Sequence, residues 1–300
     1  MLAVSTSWVS DRTSEPEAIL AALLDLGAEA VELDCRLDGP TFAGLRPRLK
    51  REGLTVVSVH NFFPAPEVVP EPGGDALLFT SEDDRERDLA LRYTLRTLET
   101  AADLEARAVV LHLGRVELPA DAVEAYRLYR RERGKGRATE EWDRIRALRA
   151  QGVRWCLDRV CLALDRLLRA AERLGLRLGI ENRYHYYEIP SPEEIRFLLR
   201  EFAGAPLGYW HDTGHAHHWE VMGWTRQEDL LKDFSDHLVG LHLHDARGPD
   251  DHLAPGSGEI DFALVARYLK EDALRVCEVH SQSDAPTYRQ GLELLRRLGF

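Results

Sequence analysis

The chain carries 12 histidines, and none falls within its first 59 residues. His60, His112, His211, His242, His244 and His280 each stand at or just past the end of a short β-branched or apolar run. His215 and His252 lie in the segments that follow such runs. Carboxylates share this placement: Glu181 and Asp212 each end a run, and Glu278 stands near the end of the last one. Imidazole and carboxylate together are the ligand set for Zn2+, Mn2+ or Fe2+. So many acids gathered without cations would repel one another. A single strand-end histidine is more often a hydrogen-bonded rim residue than a ligand. It is the joint pattern that points to divalent metal.

Two local spacings sharpen this reading. Asp212-Thr-Gly-His215 puts two candidate ligands three residues apart across a strand-to-helix turn, where the bland alternative is an aspartate N-cap beside an incidental histidine. His242 and His244 have equal parity, so both can face one side of a strand. One then serves as a ligand and the other as a supporting or substrate contact. Asp250-Asp251-His252 precedes Pro255-Gly256-Ser257-Gly258-Glu259, by itself an ordinary polar turn.

Eight short runs could carry these residues: 2–7, 29–34, 54–60, 107–113, 176–181, 206–212, 238–244 and 274–279. Each is too short and too rich in Val, Ile and Leu to be a helix by itself. Amphipathic stretches separate them. Residues 15–27 predict a helix with Ser14 as N-cap, Pro16 in the first turn and Gly27 as the stop. Further helices are expected over 82–106, 152–174 and 191–202. Strand–helix alternation predicts a parallel sheet covered by helices, and eight units favour a closed (β/α)8 TIM barrel spanning 1–300 as one domain. No G-x-G-x-x-G follows the first strand, so a dinucleotide-binding sheet loses its main support. Strand C-termini converge on one mouth of a barrel, which would bring the acids and histidines together. The long connections 61–80, rich in Pro and Gly, and 115–150 should overhang that mouth.

Composition agrees with a single soluble enzyme. Apolar residues are 44% of the chain, enough for a full core, and the formal charge is −12, which excludes a uniformly basic surface. A basic cluster at 126–137 keeps nucleic acid open as a partner, although a solvated helix face accounts for it as well. The four cysteines, Cys35, Cys156, Cys161 and Cys277, form no C-x-x-C pair and read as free thiols of a reducing compartment. The start lacks the basic and long apolar regions of a signal peptide, and no run reaches the ~18 residues of a membrane span. The expectation is a cytoplasmic protein, monomeric or homo-oligomeric, with no membrane association.

The sequence resembles the xylose isomerase-like barrel superfamily, which holds sugar isomerases and epimerases together with endonuclease IV. The resemblance rests on Ile180-Glu181-Asn182, on Asp212-Thr-Gly-His215, and on LHLHDARG (241–248) followed by DDHLAPGSGEIDF (250–262). It implies a metal held by Glu181, Asp212, His242 and Glu278, as in the epimerases. It also implies further ligands at His60, His112, His215, Asp250 and His252, the positions that complete a three-metal site in endonuclease IV. One to three ions per chain follow, Zn2+ or Mn2+ first and Fe2+ next. The segment after Glu181, NRYHYYEIPSPEE, differs from the small-residue loop of the endonucleases, and the 115–150 connection is longer than in either group.

Two activities compete. In the first, a metal chelates adjacent oxygens of a sugar, sugar phosphate or oxidised sugar, while Glu181 and Glu278 move a proton on and off carbon through an enediolate. Arg115, Arg183, His185, His244 and Arg247 would then contact the small-molecule carbohydrate, with Trp8, Phe62 and Phe63 as an apolar wall. In the second, a multi-metal cluster hydrolyses a phosphoester, including one in nucleic acid. A non-catalytic metal- or sugar-binding barrel is the third class.

Overall fold

The computed structural model describes residues 1–131, 138–248 and 250–300. Its strands are β1 (Leu2–Ser5), β2 (Ala30–Leu33), β3 (Thr55–His60), β4 (Ala108–Leu111), β5 (Arg177–Glu181), β6 (Leu207–Asp212), β7 (Leu238–Leu243), β8 (Asp245–Arg247), β9 (Asp250–Leu253) and β10 (Leu274–Cys277). Eight of them close into a parallel barrel in the order β1-β10-β7-β6-β5-β4-β3-β2, and β8 and β9 form a separate antiparallel ribbon. All eight expected strands are present, each within the span read from the sequence. The fold is a TIM barrel.

The helices, in chain order, are α1 (Ser7–Ser10), α2 (Pro16–Asp25), α3 (Gly39–Arg51), α4 (Asp84–Asp103), α5 (Ala120–Arg131), α6 (Ala138–Leu174), α7 (Pro192–Glu201), α8 (Thr213–Val221), α9 (Gln227–Phe234), α10 (Phe262–Ala266) and α11 (Ala285–Arg297). The N-cap of α2 is Glu15 and not Ser14, because Pro16 occupies the first helical turn; no side chain caps that end. The expected helix at 152–174 is the second half of α6. The connection expected over 115–150 is therefore no loop: α5 and the first part of α6 fill most of it as a helical hairpin. Of the basic run at 126–137, residues 132–137 lie outside the described residues.

Apolar residues inside the barrel build the floor on which the site rests. Trp210 is fully buried there among Ala3, Ala30, Val57, Ala108, Val110, Val239, Leu274 and Val276. Gly179 and Gly240 make room for it, since a Cβ at either position would come within 2.7 Å and 2.4 Å of the indole. The indole packs edge-on against His242, with ring centroids 5.1 Å apart. In register, Glu181 lies beside Trp210 and Asp212 beside His242, so neighbouring strands deliver acid and imidazole to one level. Glu32 shares the parity of Ala30, which faces the barrel interior, so it too points into this layer. Among the described residues no helix is long and apolar enough to cross a membrane.

Candidate metal centre and active site

The four residues expected to hold a single ion converge. Glu181, Asp212, His242 and Glu278 each offer a ligand atom, and these atoms lie within 4.8 Å of one another. Two further groups flank them on the same criterion, His60 with His112 and Glu181, and Asp212 with His244, His252 and Glu278. Glu181, Asp212 and Glu278 are shared between groups, so the carboxylates stand between the histidines like bridges.

The histidine rings are oriented in a common way. The Nδ1 of His60 lies 2.9 Å from the Asn61 carbonyl, and that of His215 lies 2.9 Å from the Asn182 carbonyl. A carbonyl only accepts, so both Nδ1 atoms donate. The Nδ1 of His112 meets Asp75 at 3.1 Å, and that of His252 meets Asp251 at 3.1 Å. The Nε2 atoms of three of these rings face the shared acids: His112 to Glu181 at 2.6 Å, His60 to Glu181 at 3.8 Å and His252 to Glu278 at 3.7 Å, while His215 belongs to none of the three ligand groups. His242 is reversed. Its Nε2 rests 2.9 Å from Glu32, while Nδ1 faces Glu181 at 2.7 Å and Glu278 at 3.0 Å. One nitrogen fixed by an oxygen acceptor and the other presented to a cluster of acids is the arrangement that metal-ligating histidines adopt. The donor set thus fits divalent ions.

His244 departs from this pattern. Its Nδ1 accepts the His252 backbone N–H at 2.8 Å, so its proton sits on Nε2 and is donated to Asp212 at 2.9 Å. Neither nitrogen keeps a lone pair for an ion or a substrate. The ring is fully buried and braces Asp212, which corrects the expectation of a substrate contact. Asp212 caps α8 as well, accepting from the His215 backbone N–H at 2.7 Å. The cap and the ligand position are the same residue.

The electrostatics follow from burial against charge. Burial raises the Glu181 carboxyl, but His242 and the hydrogen bonds from His112 and His242 overcome it, so the group sits well below its ordinary range. Glu278 behaves alike, burial opposed chiefly by His242 and then His252. Both are carboxylates at neutral pH.

Above the acids opens a cavity of about 310 Å3. Glu181, Glu278, His60, His112, His215 and His252 line it together with Arg183 and the strand-end His280, and so do Asp34, Arg36 and Gly74, which the sequence pattern does not assign to a site. Asp34 and Arg36 follow β2 and pair at 2.7 Å, and Arg36 also reaches His280 at 3.2 Å. The rule that locates Glu181 and Asp212, an acid at the end of a strand, would have found Asp34. Arg183 is 4% exposed and donates to Asp75 at 2.6 Å.

Several expected residues stand elsewhere. Asp250 is exposed at the start of β9, and its neighbour Asp251 turns inward instead. Trp8 donates from Nε1 to the Ser283 carbonyl and packs on Tyr288 beneath the mouth. Phe62 lies in the core against Phe79, and Phe63 against Phe42, since large apolar rings are better removed from water than left on a polar rim. Arg115 turns outward to Glu117, and Arg247 donates to the Ser257 carbonyl. His185 stacks on Tyr187 beside the mouth, outside the cavity lining.

A sequence model described as xylose isomerase-like TIM barrel matches residues 20–298. The chain belongs to this family. Two uncharacterized proteins of Methanocaldococcus jannaschii are each 25% identical to it. One matches over 194 residues, 64% of this chain and 56% of its own, the other over 213 residues, 69% and 68%. The chain thus spans little more than half the length of the first. Among solved structures, a D-tagatose 3-epimerase-like protein superposes with a TM-score of 0.69 at 19% identity, over 99% of this chain and 96% of that one. The 3-keto-D-glucoside 4-epimerase of E. coli gives 0.70 at 17%, over 99% and 98%. At these identities the likeness establishes the fold. A Thermus thermophilus protein soaked with ZnCl2 gives 0.57 at 25% identity, over 99% and 96%.

Proposed function

We propose that this chain is a divalent-metal-dependent isomerase or epimerase of a sugar, sugar phosphate or oxidised sugar. The observation that carries the reading is the meeting of Glu181 and Glu278 at the His242 Nδ1 atom, 2.7 Å and 3.0 Å away, beneath the cavity. The two carboxylates come from β5 and from just beyond β10, strands separated in the barrel by β6 and β7. They reach a bound molecule from different sides. One removes the proton from the carbon beside a carbonyl, and the other returns it. A cavity of about 310 Å3 is at the small end for ligand sites and suits a monosaccharide. The sugar-epimerase neighbours support the same substrate class.

Glu181, Asp212, His242 and Glu278 would hold the first ion, Zn2+ or Mn2+ before Fe2+, with His60 and His112, and His215 and His252, available for up to two more. A bound divalent ion supplies the positive charge that makes the neighbouring carbon acidic. His242 is held by Glu32, and Asp212 by His244, so the ligand atoms are fixed before any ion arrives. The His252 and His280 rings, stacked 3.7 Å apart, close one wall against water.

A phosphoester hydrolase is the second reading, favoured by the two flanking donor groups, which exceed what one ion needs. One experiment separates the two. The metal-loaded protein is incubated in deuterated water with a panel of ketoses, ketose phosphates and oxidised sugars, and in parallel with an abasic-site oligonucleotide and a phosphomonoester. Deuterium entering a carbon-bound position of a sugar is the expected result. Phosphoester cleavage without any such exchange would overturn the epimerase reading.

A further inference from the structure

The connection at 61–80 crosses the mouth, and its Gly73-Gly74-Asp75 segment touches the metal centre from above. Gly73 and Gly74 line the cavity. A Cβ on Gly74 would lie 2.5 Å from the His112 Nδ1 atom and 2.8 Å from His60 Cε1, so the backbone rests directly on both imidazoles. Asp75 follows at once. Its Oδ2 atom lies 3.1 Å from His112 Nδ1 and accepts from Arg183 at 2.6 Å. The other nitrogen of the same imidazole is 2.6 Å from Glu181.

The other candidate ligand rings are fixed differently. His60 and His215 are held by backbone carbonyls at strand ends, His242 by Glu32 inside the barrel, and His252 by its own neighbour Asp251. Of these rings, only His112 takes its fixed contact from a separate connection that also covers the cavity. We propose that Asp75 is a positioning residue that makes closure of the Gly73–Gly74 strap and orientation of His112 a single event. When the strap is down, the His112 ring is fixed with Nε2 on Glu181, and the His60–His112–Glu181 group is ready for an ion. When it lifts, Asp75 leaves, Arg183 loses a carboxylate partner, and the His112 ring is free to turn. Entry of a small molecule therefore loosens one end of the metal centre, and closure restores it. This rests on the reading of the cluster as the reacting centre, but its test does not need turnover.

The full-length protein is stripped of metal and titrated with Mn2+ or Zn2+ against a chelating dye, and amide hydrogen exchange is followed over residues 70–78. His112→Ala identifies the class of binding that depends on this ring. Asp75→Asn should weaken that same class by roughly 10- to 100-fold and speed exchange in the strap. Gly74→Ala, which removes no charged group, should reproduce both effects by holding the strap off the rings. Asp75→Glu should recover part of the affinity. If Asp75→Asn loosens the strap and leaves this class of binding within twofold, the coupling is absent. If it and His112→Ala weaken different classes, Asp75 does not act through His112. Should Asp75→Asn fail to fold, Gly74→Ala decides alone: normal affinity with an open strap overturns the proposal. Absence of sugar exchange beside intact coupling would sink the functional reading and leave this one standing.

Discussion

The Nε2 atom of His242 lies 2.9 Å from Oε1 of Glu32, with both side chains fully buried in the barrel. Ser58 donates to the other oxygen of Glu32 at 2.7 Å, so the carboxylate has no freedom to swing away. The ring it holds presents Nδ1 to Glu181 and Glu278. Glu32→Gln should keep the shape but replace a charged acceptor with a neutral amide oxygen, which holds the imidazole more weakly. Metal affinity at the Glu181–Asp212–His242–Glu278 group is expected to fall roughly 10- to 100-fold. Competition against a chelator of known affinity measures it, and an unchanged constant would mean that Glu32 only fills space.

Glu181 and Glu278 should separate chemistry from folding. Each Gln variant is expected to lower deuterium exchange into the sugar by roughly 10²- to 10⁴-fold. The metal-free variant should still fold but melt below the parent, because each carboxylate pairs with His242 and sits below its ordinary range, so its charge stabilises the fold. Nuclear magnetic resonance of the sugar and a thermal melt give the two readouts. Full exchange in either variant would remove that residue from the proton path.

Arg149 and Glu194 form a buried bidentate pair, at 2.6 Å and 2.9 Å, with side chains 7% and 8% exposed. Glu194 also completes the capping box of α7 with Ser191, and Arg149 donates to the carbonyls of Tyr186 and Glu188. Glu194→Ala strands a guanidinium and opens a helix end together. A loss of about 3–5 kcal/mol is expected from denaturant titration. A loss below about 1 kcal/mol would show that water reaches Arg149.

Acid should weaken the fold through histidines held neutral. Burial lowers His211 from 6.5 to about 4, and its Nδ1 meets the Tyr209 hydroxyl at 2.8 Å while Nε2 has no partner. Burial lowers His218 to about 3 in the same sense. Between pH 6.5 and 4 the unfolded chain binds these protons and the folded one does not, so stability falls as pH falls through that window. Above pH 6.5 the two states bind alike and the contribution is flat. His211→Asn keeps an N–H for Tyr209 without the titrating nitrogen. Its denaturation midpoint should change less between pH 7 and pH 4.5 than that of the parent, and parallel curves would refute the assignment.

The barrel is legible in the sequence because each strand is a short Val-, Leu- or Ile-rich run bounded by polar turns. Glu181, Asp212, His242 and Glu278 are legible because a barrel strand has a definite end at which function gathers. Glu32 and Asp75 are not. Parity with Ala30 turns Glu32 inward, but a single acid in a short strand does not reveal that its partner is His242, and an aspartate in a Pro-Gly tract looks like any turn residue. Asp250 and Asp251 are adjacent and chemically equal. The backbone decides between them: His252 takes a φ of 54°, and Asp251 is the acid left beside its ring. The hairpin of α5 and α6 reads as a loop because its many arginines hide the apolar face. In the structure that face stacks Tyr129 on Trp142 and Trp142 on Trp224, with centroids 4.7 Å and 5.0 Å apart.

The cylinder is sealed by β1 against β10, where Leu2 lies beside Arg275 and Val4 beside Cys277. This seam joins the barrel's first strand in chain order with its eighth. Until β10 leaves the ribosome, β1 waits with one edge unpaired, and the contacts that span most of the polypeptide form last. Glu278 follows β10 directly. Glu278, one of the four residues proposed to hold an ion, is therefore placed only when this seam closes, and the cluster is complete only in a finished barrel.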